Sequence, residues 1–471
     1  MKSKLLALAL IFQMGTLWAA DLNSAKELYA KKDYSAAIPV LQELVEKTPQ
    51  NVQINEMLAV SLYKTGKHEQ AKKYFEVAQK KGNAEAMLYL ANYKYDAYDF
   101  DGCEELIGNY ASALKKTNKE MGTEGNRMAA KVSKAKDMIN HVEKIVVFDS
   151  LIVAKKDFFK SYKISPDVGY IKDSSVLPSQ KDAQNDLPVY CSSDQSHLMW
   201  ATKDSDGIMR LMECNKLLDG SWDAPVQEDD VLNDDGDANY PFLMPDGQTL
   251  YYASNGSNSI GGYDIFVSRK DEDSGSFLAP QNVGMPFNSP YDDYLLVIDE
   301  QTGIGWWATD RNQIADSLTI YMFKPNQVRV NYEQDVPNIK ALASLSDIKL
   351  TWPENADFSD LKAKLKAIPS ERATKKQDFV FYATKGVIYT TLDDAKTKEG
   401  RNLLEQYFST IKIQNSNNKK MAALREQFHS AKKADRQALS STIIQLEKNI
   451  QKRQEEIEYL SNSIRRAEGY K

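Results

Sequence analysis

Tyr240-Pro241-Phe242-Leu243-Met244-Pro245-Asp246-Gly247-Gln248-Thr249-Leu250-Tyr251-Tyr252-Ala253-Ser254-Asn255, followed by Gly261-Gly262-Tyr263-Asp264-Ile265-Phe266-Val267-Ser268-Arg269, decides how the middle of this chain folds. Asp246 and Gly247 are turn residues between two runs of β-forming side chains, so the stretch reads as a hairpin, and Gly261 and Gly262 open a third strand. The unit recurs. Asp194, Leu198, Trp200, Ala201 and Thr202 repeat it 52 residues upstream, and Trp306, Trp307, Ala308 and Thr309 repeat it 55 residues downstream. A second set keeps the longer period: Gly220, Ser221, Trp222, Ala224 and Pro225 return as Gly275, Ser276, Phe277, Ala279 and Pro280, while Asn233 and Asp237 return as Asn288 and Asp292.

Repeated blocks of short strands at this spacing predict propeller blades. Residues 188–330 hold three of them, too few to close a ring. Ile145 to Phe148 with Leu151 to Ala154, and Phe379 to Tyr382 with Val387 to Thr391, read as flanking strands. The expectation is therefore a propeller domain over residues 145–391, incomplete or of about five blades. Residues 332–377 read as an irregular insertion with a short helix around Asp360 to Ile368.

Residues 21–144 change vocabulary to Ala, Leu, Lys and Glu at helical spacing. Leu28, Tyr29, Lys32, Asp33, Tyr34, Ala37, Leu41, Leu44 and Pro49 fall in order, and Leu62, Tyr63, Gly66, Lys67, His68, Ala71, Phe75 and Ala78 follow 34 residues later. Tyr98, Asp99, Phe100, Cys103, Ile107 and Tyr110 make a looser third copy. The pattern resembles the tetratricopeptide repeat, in which a small residue lets two helices approach closely. The resemblance puts Ala37, Ala71 and Cys103 at that small position and implies a groove for a peptide or helix of another protein. His68 stands where Tyr34 and Phe100 stand and reads as packing. Lys116 to Lys144 read as a closing helix.

The first twenty residues carry Lys2 and Lys4, the apolar run Leu5 to Phe12, and Ala19 and Ala20 ahead of Asp21, the layout of a cleavable export signal. No other stretch approaches membrane-spanning length, and Gln13, Gly15 and Thr16 interrupt this one too early to anchor. The chain of 471 residues has 60 bases against 66 acids and 42% hydrophobic residues, which excludes disorder throughout, collagen and a polytopic membrane protein. Charge is unevenly placed: residues 401–471 hold fourteen Lys and Arg against eight Asp and Glu, so an acidic body precedes a basic tail. That asymmetry points to self-contact or an acidic partner, and export argues against nucleic acid.

Few residues suggest chemistry. Four histidines and three cysteines leave little for a metal or acid/base site, and no Gly-x-Ser-x-Gly elbow, His-Glu-x-x-His or other catalytic constellation is present. No catalytic, cofactor-binding or metal residue is assigned. Nine acids lie between Asp219 and Asp246, among them Glu228, Asp229, Asp230, Asp234, Asp235 and Asp237, with no Lys or Arg. They read as a solvated acidic loop, or less favourably as a calcium site. Cys191 and Cys214 share one unit and could pair in an oxidising compartment. His197 reads as surface. Trp200, Trp222, Trp306 and Trp307 read as core at repeat-equivalent positions, against the alternative of a glycan platform.

Residues 392–471 read as a helical tail. Leu439, Ile443, Leu446, Ile450, Arg453, Ile457, Leu460 and Ile464 alternate spacings of four and three, a coiled-coil seam broken once. Such a seam pairs either with a second copy or with the chain's own helix at Asn402 to Phe428. The regular isoleucines favour self-association.

The Pro-Asp-Gly turn before Leu250, Tyr251 and Tyr252, with Gly262, Tyr263, Asp264 and Ile265 after it, resembles the WD40-like repeat of Tol-type proteins. With the tetratricopeptide pattern and export signal, residues 21–330 are similar to periplasmic envelope proteins of the Bacteroidetes, notably the OmpA-family component of the type IX secretion system, though the chain lacks its OmpA domain. The resemblance implies a non-enzymatic periplasmic adaptor that binds envelope proteins through its repeat groove and propeller face. An exported hydrolase is the alternative from another class.

Overall fold

The computed structural model describes residues 21–178, 187–217, 220–233, 235–333, 336–369, 380–384, 387–430 and 433–470. The expected export signal, residues 1–20, lies outside them. Two compact units are present, one holding the residues up to Lys216 and Trp222–Ile368, the other Pro369–Lys471 with Leu217–Ser221.

The first unit begins with antiparallel helices: α1 (residues 21–30), α2 (Tyr34–Lys47), α3 (Val52–Lys64), α4 (His68–Lys80), α5 (Ala84–Asp96), α6 (Phe100–Lys115) and α7 (Thr123–Ile139). Four of them, α2, α3, α5 and α6, start at a side-chain cap, Asp33, Asn51, Asn83 and Asp99. Asn51 Oδ1 accepts from the Ile54 amide at 3.1 Å and Asn83 Oδ1 from the Ala86 amide at 2.7 Å, so orphan N–H groups of the first turn are satisfied. The turns between paired helices need left-handed backbone. Gly66 takes φ +78°, and Lys32 and Tyr98 take the same region at equivalent positions without being glycine. Ala37, Ala71 and Cys103 are fully buried, with Leu41 and Phe75 packed beside them.

Three sheets follow. The first orders β2 (Tyr170–Lys172), β3 (Val189–Cys191), β4 (His197–Lys203), β5 (Met209–Asn215) and β6 (Val226–Gln227). The second runs β7 (Ala238–Leu243), β8 (Thr249–Ser254), β9 (Asp264–Arg269) and β10 (Gln281–Asn282), and the third β11 (Asp293–Asp299), β12 (Ile304–Thr309) and β13 (Ser317–Lys324). All neighbours are antiparallel. β7 packs across β3, β4 and β5, and β11 across β7, β8 and β9, around a core that includes Met199, Leu211, Phe242, Leu250, Trp306 and Ile320.

The same side chains weld each linker to the sheet before it. Asn233 accepts from the Leu211 amide at 2.8 Å and Asn288 from the Ile265 amide at 2.7 Å. Asp237 accepts from the Met209 amide and Asp292 from the Tyr263 amide, both at 2.8 Å. β7 and β11 also share a register shift, with Tyr240 and Leu295 at positive φ inside it.

Of the two expectations, a propeller of about five blades or an incomplete one, the closed five-bladed form is not seen: the first unit holds three sheets that do not close into a ring, and the fourth sheet among the described residues is a two-stranded one in the second unit. The flanking pieces go elsewhere. Ile145 to Phe148 and Leu151 to Ala154 belong to one strand, β1 (Val146–Ala154), which completes the third sheet by pairing with β13. The residues around Phe379 to Tyr382 and Val387 to Thr391 supply β14 (Phe381–Thr384) and β15 (Val387–Tyr389), which pair only with each other and belong to the second unit. The insertion contributes α8 (Ile339–Ser344) and α9 (Ser359–Ala367), and Phe358, Leu361, Leu365 and Ile368 cover the sheet core. The apolar face is thus sealed by packed helix rather than by further blades.

In the second unit α10 (Lys398–Ser430) and α11 (Lys433–Ala467) form an antiparallel hairpin. Ile457, Leu460 and Ile464 are buried, Gln414 Nε2 donates to the Ile450 carbonyl at 3.1 Å, and Arg425 pairs with Glu447 at 2.9 Å. The seam read as favouring self-association is therefore occupied from within the chain. Neither helix is apolar enough over its length to cross a membrane.

Candidate functional site

Helices α3, α5 and α7 turn one side towards a common cavity of about 410 Å³, walled by Tyr63, Tyr89, Asn92, Asp96, Arg127 and Lys131, with Pro290 at one end. Helical periodicity places Tyr89, Asn92 and Asp96 on one face of α5, and Arg127 and Lys131 one turn apart on α7. The aromatic wall is rigid. Tyr89 stacks on Phe75 with ring centres 4.6 Å apart and meets Tyr63 edge-on at 4.9 Å. Asn83 Nδ2 donates to Glu56 at 2.5 Å and so joins consecutive repeats.

Burial sets the charges of this wall. Desolvation pushes the Asp96 carboxyl up to about 6, with Lys131 opposing it, and lowers the Lys131 ammonium below its ordinary value with help from Arg127. The Tyr89 phenol rises to about 12 for the same reason. Arg127 is shared with Glu124 at 3.0 Å. Aromatic faces, an amide and charges of both signs make a surface suited to gripping a polypeptide segment.

Contacts with the sheets hold the groove in place. Tyr95 Oη donates to the Ile260 carbonyl at 2.8 Å, Lys131 Nζ donates to the Gly261 carbonyl, and Lys134 Nζ reaches Ser257 O and Asn258 Oδ1 at 2.5 and 3.1 Å. Tyr95, Phe100, Cys103 and Val132 share one core with Ile260 and Met285. The Gly261-Gly262 pair has its explanation here. A Cβ on Gly261 would collide with the backbone oxygens of Tyr291 and Ser289, and one on Gly262 with the Asp292 carboxylate.

A polar cluster lies between the first and second sheets. His197 Nε2 meets Glu213 Oε2 at 2.9 Å, Lys270 stands 3.8 Å from the same carboxylate, and the buried Glu228 lies close enough to feel its charge. The His197 bond, with Lys270 nearby, holds Glu213 down at about 2, while burial and the Glu213 charge push Glu228 up to about 8. His197 was expected at the surface. A diagonal contact with Glu213 across β4 and β5 instead buries most of it, since the register partner of His197 is Asn215, and no local spacing reveals this partnership.

The remaining candidates resolve into structure. Cys191 and Cys214 are free and buried: each pairs in register with Leu198, one on either side of β4. Two strand spacings, about 10 Å, separate them, beyond disulfide reach. Burial pushes the Cys103 thiol up to about 12 and away from reactivity. In the acidic segment Asp229 accepts from the Phe277 amide, Asp235 from the Ser257 amide and Asp237 from Met209. Asp219 and Asp234 lie outside the described residues, among which no three metal-ligating groups gather. Trp200, Trp306 and Trp307 are fully buried, so they cannot serve as a glycan platform.

No curated protein and no solved structure matches the chain. The profile of the tetratricopeptide repeat family matches residues 28–91, so the front of the chain carries tetratricopeptide repeats, which generally mediate contacts between proteins.

Proposed function

We propose that the protein is a non-enzymatic adaptor, exported to the periplasm, which binds other envelope proteins through the groove of its helical repeats. The observation that carries this reading is the cavity between α3, α5 and α7, whose aromatic and charged wall is fastened to the sheets by Tyr95 and Lys131. A groove held rigid before its partner arrives loses little freedom on binding, which favours affinity. Lys2, Lys4, the run Leu5 to Phe12 and Ala20 support export. The sheets contribute the support on which the groove is mounted and a further face for partners.

Photo-crosslinking in intact cells tests the reading. A crosslinker at Asn92, inside the groove, should give discrete protein adducts, while one at the exposed Glu76 of α4 should not. Adducts from Glu76 alone would overturn the groove. Recovery of the chain with Met1 intact in the cytoplasm would overturn the periplasmic setting.

A further inference from the structure

The tail hairpin covers its apolar seam unevenly. Ile457, Leu460 and Ile464 are buried, but Ile443 and Leu446, two turns and more towards the loop end, are only half-buried. Beside them a groove of about 690 Å³ runs between the helices, walled by Ala423 and Leu424 of α10 and Thr442, Gln445 and Leu446 of α11. Lys420 closes one side. Ile413, 46% exposed, continues the groove's α10 face two turns before Lys420. An apolar strip this long, between two helices already in contact, has the form of the seat for a third helix.

Charge identifies the occupant. Residues 412–452 hold nine Lys and Arg against three Asp and Glu. Arg425 is taken by Glu447, but Lys412, Lys419, Lys420, Lys448 and Lys452 have no carboxylate of the described residues within ion-pair distance. We propose that this groove binds an acidic amphipathic helix of a partner protein, which packs its apolar face on Ile413, Leu424 and Leu446 and its acidic flanks against Lys420, Lys448 and Lys452. A second copy fits poorly. A symmetric pair would set this basic strip against itself, and like charges facing each other oppose association.

Two synthetic peptides, each about four heptads long with leucine at the a and d positions, supply the probes. One carries glutamate at e and g, the other lysine. Titrated against the full chain, the glutamate peptide should bind with an affinity that falls as salt rises, and the lysine peptide should bind at least roughly tenfold more weakly. The triple variant K420E/K448E/K452E should lose roughly tenfold in affinity for the glutamate peptide at an unchanged melting temperature, because these side chains are exposed. Ile413→Ser should weaken both peptides. Equal affinity for the two peptides, no binding, or an unaffected triple variant overturns the proposal. So does a wild-type dimer in sedimentation that the glutamate peptide fails to dissociate, or preference for vesicles of phosphatidylglycerol over the peptide.

Discussion

Glu213 of β5 and Glu228, the residue that follows β6, are neighbours at one edge of the first sheet, and the protein keeps the first carboxyl charged and the second neutral. Glu213 has His197 and Lys270 for company, whereas Glu228 is buried against a negative neighbour. Stability should therefore depend on pH in two opposed ways.

Folded Glu228 holds its proton up to about pH 8, while an unfolded glutamate releases it near 4.3. In that window the folded state binds the extra proton, so stability falls as pH rises, by at most about 1.4 kcal/mol per pH unit. Glu213 acts oppositely: its lowered value contributes stability that is lost as pH drops from about 4.3 towards 2. Glu228→Gln should flatten the slope above pH 5 in urea midpoints measured from pH 5 to 8. An unchanged slope would remove Glu228 as its source.

Ala71 has no exposed surface where α3 meets α4. Ala71→Phe should wedge the pair apart and cost about 1 to 3 kcal/mol, read as a lower melting temperature of the full chain. An unchanged melt would mean that this contact tolerates bulk and that the repeat register is misplaced.

Asn288→Ala should be more damaging than its size suggests. It strips the partner from the buried Ile265 amide, bonded at 2.7 Å, while the Ile265 carbonyl keeps its bond from the Val283 amide at 3.1 Å. Leaving a buried backbone group unpaired costs about 1 to 3 kcal/mol. Asp271→Ala, on an exposed turn, should be nearly neutral by comparison. Denaturant unfolding of the two variants side by side measures the difference.

The tail offers the sharpest contrast. Lys at both Ile450 and Ile457 places charge in the seam against α10, so the double variant should lose tail helicity in circular dichroism and keep its mass in sedimentation. Wild type alone, without an added helix, should sediment as a monomer. A concentration-dependent dimer that the double variant abolishes would restore the intermolecular seam.

Much of this architecture was legible because its signals are local. A small residue is needed wherever two helices of a repeat touch, so Ala37 and Ala71 recur at a fixed interval and the repeats can be read from spacing. Asn233 and Asn288 recur because each bonds a linker to the sheet just completed, a task repeated once per unit. The aromatic wall of the groove was visible only in part. Tyr63 stood in the repeat pattern, but Tyr89, Asn92 and Asp96 were hidden in a helix whose composition looks like any other.

By itself, then, the chain's order of residues determined the helical repeats, the three strand units, their turns and the helical tail, since each depends on neighbours within a few tens of residues. Only the tertiary structure decided who closes what. Val146–Ala154 completes the third sheet with a partner some 170 residues away, His197 meets Glu213 across a strand pair, and the isoleucines of α11 pack against α10. An amphipathic strand or helix advertises that one face must be buried but not against what, because burial rewards apolar area without naming its partner. Choosing among partners falls to register, chain connection and the charges left at the edge, and these meet only once the whole chain is folded.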